Sequence, residues 1–177
     1  MGDKRQVQVM FQDEAGFGRI FLPRNCWAPA KMRPQVPAHH IREMRYAFGA
    51  VAPQTGAKFF LVMPRCDTAC MSRFLKELAD YFPDKYIVLL CDNAIWHRAK
   101  TLVTPENIMI LHIPPYTPEM NPIEQVWGYM RREGFVNRVF QTLEHVIDQL
   151  CQTINNLAEK RLRSITHREW LYKTILD

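Results

Sequence analysis

With 177 residues, 47% of them hydrophobic, 11% aromatic and 23% charged, the chain has the size and mixture of one ordinary folded unit with its own core. Extended disorder and a second full domain are thereby excluded. A formal charge of +5 favours a polyanionic partner, because cationic side chains neutralise phosphates and release their counterions. No apolar run approaches the roughly 20 residues needed to cross a bilayer, and MGDKRQVQVM has no signal-peptide apolar centre. Five cysteines without a CxxC pair (Cys26, Cys66, Cys70, Cys91, Cys151) argue against a disulfide framework and for a reducing, cytoplasmic setting.

Residues 6–12, QVQVMFQ, alternate with Val7, Val9 and Phe11 on one parity, which predicts a strand with one buried face. Asp13 continues that parity and Glu14 does not. Gly16 and Gly18 read as a turn, with RIFL as the returning half of a hairpin. Residues 23–42 carry Pro23, Pro29, Pro34 and Pro37 among Arg24, Lys31, Arg33 and Arg42, which predicts an extended excursion. MRYAFGAVAP and KFFLVMP, joined by QTGA, complete an antiparallel set.

In DTACMSRFLKELADYF the spacing of Met71, Phe74, Leu75, Leu78 and Phe82 predicts an amphipathic helix. YIVLLC is apolar on both parities, as a covered central strand is, and IMILHI repeats the pattern after a short helix. Pro122 sits at a first helical position behind Asn121, a good cap, and that helix can run to about Glu133. Residues 141–159 and 164–176 predict two more helices. This order predicts an α/β, RNase H-like fold. Its mixed central sheet has about five strands, three antiparallel and then parallel, flanked by helices.

Three acids fall inside distinctive phrases: Asp13 in FQDEAGF, Asp92 in LLCDNAIWH and Glu124 in PPYTPEMNPIEQVW. Asp13 ends the first strand and Asp92 ends YIVLLC; if those two strands are neighbours, the carboxylates lie side by side at one sheet edge, where two like charges repel unless a cation holds them. Hard oxygen ligands suit Mg²⁺ or Mn²⁺. Glu124, from a helix packed beside the sheet, completes the set that two ions about 4 Å apart require for in-line displacement at phosphorus. Each phrase alone admits a plainer role. Asp13 reads equally as a turn or surface acid, Asp92 with Asn93 as an N-cap, and Glu124 as a first-turn acid favoured by the helix dipole. It is the ordered trio that points to nuclease chemistry.

DEAGF, DNAIWH and PPYTPEMNPIEQVW resemble the three catalytic signatures of DDE transposases, specifically the mariner-like bacterial insertion-sequence branch. The resemblance extends over about residues 6–170, with a compact 31 residues between Asp92 and Glu124. It implies that Asp13, Asp92 and Glu124 are catalytic metal ligands that together hold two Mg²⁺ or Mn²⁺ ions. It implies cutting at transposon ends, joining of the freed 3′ hydroxyl to target DNA, double-stranded DNA as partner and a homodimer on that DNA. Residues 1–177 then form a single catalytic domain with a basic clamp-like insertion at about 23–45. The family's N-terminal helix-turn-helix module has no counterpart before the first strand, which implies a fragment, a split-frame product or a remnant. The alternatives are an inactive DNA-binding remnant and a host RNase H-like nuclease.

Around the trio, Asn93 holds the loop that carries Asp92, and Asn121 fixes the start of the helix that carries Glu124. His97 reads either as a phosphate or metal-site residue or as a packed, capping histidine. Trp127, one turn beyond Glu124, packs its helix into the core, and Glu14 faces away from the metals. In the excursion, Arg24, Trp27, Lys31, Arg33 and Arg42 mix cations with an aromatic, suiting a DNA backbone or a solvated loop alike. A second basic run, Lys160 to Arg168, reads as a phosphate-following or a solvated face.

Overall fold

The computed structural model describes residues 4–20, 24–25, 27–35, 40–115 and 117–170. The alternation at the start of the chain builds β1 (Gln6–Ile20), the middle of a five-stranded sheet. Antiparallel to it lies β2 (His40–Val51), followed by β3 (Lys58–Met63). On the other side lie β4 (Lys85–Cys91) and β5 (Ile108–His112), both parallel. The order β3-β2-β1-β4-β5 is the mixed RNase H-like arrangement that the element order predicted.

Reaching β4 from β3 requires a crossover, which α1 (Thr68–Tyr81) supplies. The Asp67 side chain accepts from the Cys70 amide at 2.8 Å and starts this helix as an N-cap. Met71, Phe74, Leu75 and Leu78 pack on one sheet face with Met10, Phe48, Ile87 and Leu89. The other face carries α2 (Ile123–Met130), α3 (Leu143–Asn155) and α4 (Glu159–Thr166), packed on Phe11, Phe17 and Val51. Adjacent residues of β1 therefore serve opposite layers. No helix among the described residues is long and apolar enough to cross a membrane.

Several expected boundaries move. There is no turn at Gly16 and Gly18: β1 continues straight to Ile20 and its alternation buries Ala15 and Phe17. The glycine at 18 answers a close approach instead, since a Cβ there would stand 2.3 Å from the Glu43 carbonyl oxygen, and the β1–β2 register slips just beyond it. The excursion is shorter than 23–45, because β2 already begins at His40 and carries Arg42 and Arg45; Pro23 and Pro37 lie outside the described residues. As an edge strand, β5 leaves Met109 and Leu111 nearly half exposed, unlike the covered strand expected.

The helix expected over 141–159 stops at Asn155, and α4 starts at Glu159, ahead of the expected 164. Leu157 turns into the core between them, while Lys58 Nζ on β3 takes the carbonyls of Ile154, at 2.6 Å, and Leu157. A cation at the last carbonyls satisfies the helix end. Residues 171–177 lie outside the described part.

Candidate active site

Parallel pairing between β1 and β4 ends at Phe11 and Leu90. Beyond it β1 runs on against β2, with Asp13 opposite Gly49, while the chain after Cys91 turns away. Asp13 and Asp92 each stand two residues past the last pair, where the β1–β4 pairing ends. Asp13 thus lies in mid-strand instead of ending β1. Glu124 enters from the first turn of α2. The three acids, with Asn93, Asn121 and Pro114, line one open cavity of about 400 Å³.

Each acid is held differently. Asp13 is partly buried, and its Oδ2 accepts the Trp127 indole N–H at 2.9 Å. Burial pushes its carboxyl up to about 7, against the Trp127 bond, with the charge of Glu124 adding to the rise. Asp92 is more open. Its Oδ1 accepts the Ala94 amide at 2.9 Å, an Asx turn, and lies 2.8 Å from His97 Nδ1; the short helix Ile95–His97 starts behind Ala94 with no side-chain cap, so the N-cap role open to Asp92 and Asn93 in the sequence is not taken up. The His97 bond holds Asp92 below the usual carboxylate range. Glu124 is exposed on the cavity wall.

The start of α2 is fixed by Asn121, which is buried: its Nδ2 donates to the Gln12 carbonyl at 3.0 Å, and its Oδ1 accepts from the Ile123 amide at 3.4 Å. Pro122 already has helical angles. One asparagine therefore ties the helix carrying Glu124 to the residue before Asp13. Asn93 does the same for the other loop, donating to the Ile113 carbonyl at 2.7 Å.

Behind the cavity His97 is buried between two acids, its Nε2 2.9 Å from Glu14 Oε1. Burial opposes the charge on the ring, but bonds to Asp92, Cys91 and Glu14 outweigh it and push the imidazole up to about 12. Glu14 also accepts from Gln12 Nε2 at 2.9 Å and from the Trp96 indole at 3.4 Å. Sequence reasoning missed both this link and the Trp127–Asp13 bond. The available signal was parity: Glu14 points to the α1 side of the sheet, opposite Asp13, where the short turn Ile95–His97 packs.

Arg24, Trp27, Lys31, Arg33 and Arg42 are all exposed, and none of them lines the carboxylate cavity. The Arg24 amide donates to Asn137 Oδ1 at 3.3 Å. On α4, Lys160, Arg161 and Arg163 are exposed, with the Arg161 guanidinium 5.2 Å over the Tyr129 ring.

As the side chains stand, no three His, Cys, Asp or Glu residues among those described converge closely enough to hold an ion. The acids nevertheless share one cavity, and the mutual repulsion of Asp13 and Glu124 is a charge conflict that a cation resolves. Their oxygen donors match a hard divalent ion.

Residues 8–147 match the model of the DDE superfamily endonucleases. The chain is 37% identical over 132 residues to the uncharacterised protein y4pE/y4sA of Sinorhizobium fredii, covering 73% of this chain and 98% of that protein. Among solved structures it resembles the Mos1 transposase paired-end complex with left transposon end, with a TM-score of 0.69 and 15% identity over 90% of this chain. It also resembles the Mos1 mariner paired-end complex with Mn, with a TM-score of 0.72 and 15% identity over 90% of this chain. It spans 51% and 52% of those two chains, about half their length. At such identities the likeness shows the fold.

Proposed function

The chain belongs to the DDE superfamily endonucleases, and from that premise we propose that it is the catalytic domain of a mariner-like insertion-sequence transposase. It would act as a metal-dependent DNA endonuclease and strand transferase at transposon ends. One observation carries the reading: Asp13, Asp92 and Glu124 come from three separate parts of the chain to line one cavity where the pairing of β1 with β4 ends.

In this reading Asp13, Asp92 and Glu124 hold Mg²⁺ or Mn²⁺, and Mos1 structures with each of these metals support that choice. When bound, the ions supply an activated water or 3′ hydroxyl and neutralise charge developing at phosphorus. The protein's own part is placement. Asn121 sets where α2 begins, and with it Glu124; Asn93 and His97 fix the loop and side chain of Asp92. Such rigidity matters because misplacing a catalytic group by about 1 Å can cost on the order of 100-fold in rate.

Double-stranded DNA is the substrate, with Arg24, Trp27, Lys31, Arg33 and Arg42 as backbone contacts and a homodimer as the working assembly on DNA. The protein would work inside the cell, where that DNA lies. The decisive experiment incubates the chain with a pre-cut duplex and a plasmid target in Mg²⁺ or Mn²⁺ and looks for joined product. Asp13→Asn, Asp92→Asn and Glu124→Gln are expected to abolish cutting and joining while leaving the circular-dichroism melt of the metal-free protein cooperative. Metal-dependent cutting retained by Glu124→Gln would overturn the assignment.

A further inference from the structure

A second cavity, of about 330 Å³, opens farther along β1 on the α2 side of the sheet. Arg19, Arg24, Arg131 and Arg138 line it around an apolar floor that includes Phe17 and Phe135, and no acidic residue is among its lining. Among the described residues only Arg19 of these four has a carboxylate within ion-pair distance, Glu43 at 2.8 Å. The Arg131 guanidinium lies 5.3 Å over the Phe17 ring, and Arg138 Nη1 donates to Gln149 Oε1 at 2.5 Å. Three arginines without a carboxylate partner among the described residues therefore line one cleft.

The cleft continues the line of the carboxylate cavity. Phe17 is four residues beyond Asp13 on the same face of β1, roughly 13 Å along a strand. Arg131, the first residue past the end of α2, is seven residues beyond Glu124, about two turns and 10 Å along the helix axis. Trp127 bridges the two places, bonded to Asp13 and edge-on to Phe17 at 6.4 Å. At about 3.4 Å per nucleotide step, that offset is three to four nucleotides.

We propose that this arginine cleft is a DNA-backbone subsite, holding strand phosphates three to four nucleotides from the bond presented to the carboxylates. The inference rests on the transposase reading for its register, though not for the binding itself. All four cations are arginine, whose planar fork matches phosphate oxygens in pairs. The alignment with Asp13 and Glu124 favours a nucleic-acid strand over an acidic polypeptide, which has no reason to follow that line.

The test measures fluorescence anisotropy of a labelled duplex across a salt series in EDTA, so that binding is read without cutting. Arg131→Gln and Arg138→Gln are each expected to weaken binding roughly 3- to 10-fold and to reduce the slope of log affinity against log salt by about one. Arg73→Gln, on α1 across the sheet, is expected to change neither. With a pre-cut duplex, a neutral methylphosphonate three or four nucleotides from the end should erase the difference between wild type and the Arg131→Gln/Arg138→Gln protein. Unchanged salt slopes in a variant that melts like wild type would overturn the subsite. So would equal loss in Arg73→Gln, or loss of polyglutamate binding with DNA binding intact. A wild-type protein that binds DNA with these slopes yet never cuts would instead sink the catalytic reading and leave the cleft standing.

Discussion

Trp127 donates its indole N–H to Asp13 Oδ2 across 2.9 Å, so the largest side chain of the core also holds a candidate metal ligand. The ring meets Phe60 edge-on at 5.8 Å and is 1% exposed. Trp127→Phe keeps most of that packing and removes the donor. A hydrogen bond to a charged group contributes about 1.5–3 kcal/mol, and this one works against the burial that raises Asp13. Its loss should move the Asp13 carboxyl further above about 7. Calorimetric Mn²⁺ titrations are expected to show weaker binding near neutral pH that recovers in alkali; equal affinity to wild type at both would rule the coupling out.

His97 stands between Glu14 and Asp92 with its side chain fully buried, and Glu14 is nearly so. Removing one partner of a buried ion pair leaves an uncompensated charge, at a cost of about 3–5 kcal/mol. His97→Ala should lower the melting temperature strongly. Adding Glu14→Gln should restore part of the loss, because the stranded carboxylate is gone. Denaturant melts of the two single variants and the double give the coupling, and strictly additive losses would show that the pair acts separately.

The sheet order was legible because its signals are local: the alternation of QVQVMFQ, the apolar YIVLLC, and the helical stripe of Met71, Phe74, Leu75 and Leu78. The α2 start was legible for the same reason, since Asn121 and Pro122 encode it within two residues. What sequence hid depends on contacts distant along the chain. Gly18 reads as a turn until the Glu43 carbonyl is seen against it. The Lys58 contacts that end α3 are likewise invisible locally, as they come from a strand almost a hundred residues earlier. IMILHI reads as a covered strand because hydropathy alone does not tell an edge from a centre. Among the site residues, Glu14 was correctly set on the face away from Asp13. Its reach to Asp92 through His97 needed the fold.

Gly49 lies opposite Asp13 in the β1–β2 register, and a Cβ there would come within 2.5 Å of the Phe60 ring and 2.8 Å of the Trp127 ring. Gly49→Ala must therefore push aside the ring that donates to Asp13. Overpacking of this kind costs about 1–3 kcal/mol. The melting temperature should fall and Mn²⁺ affinity should fall with it, although no candidate ligand has changed. A variant with a lowered melting temperature and unaltered Mn²⁺ binding would show that the Trp127 position does not govern the site.

Asp13 sets a pH dependence that metal should reverse. Its carboxyl titrates near 3.8 when free and at about 7 in the fold, so the folded state favours the protonated form. The associated stability is complete below about pH 4, declines as pH rises toward 7 and stays lost above it, by at most about 4 kcal/mol. Asp92 is depressed and changes stability only on the acid side of that window. His97, held up to about 12, loses its contribution only as pH climbs above its free value of 6.5. Between about pH 4 and 6.5 the decline in EDTA thus belongs mainly to Asp13, and Asp13→Asn should flatten it. Because a bound cation requires the carboxylate, Mg²⁺ must displace a proton below pH 7 and none above it. Thermal melts with and without Mg²⁺ should therefore separate little at about pH 5 and widely at about pH 8. An equal Mg²⁺ increment at both would mean that Asp13 takes no part in holding the ion.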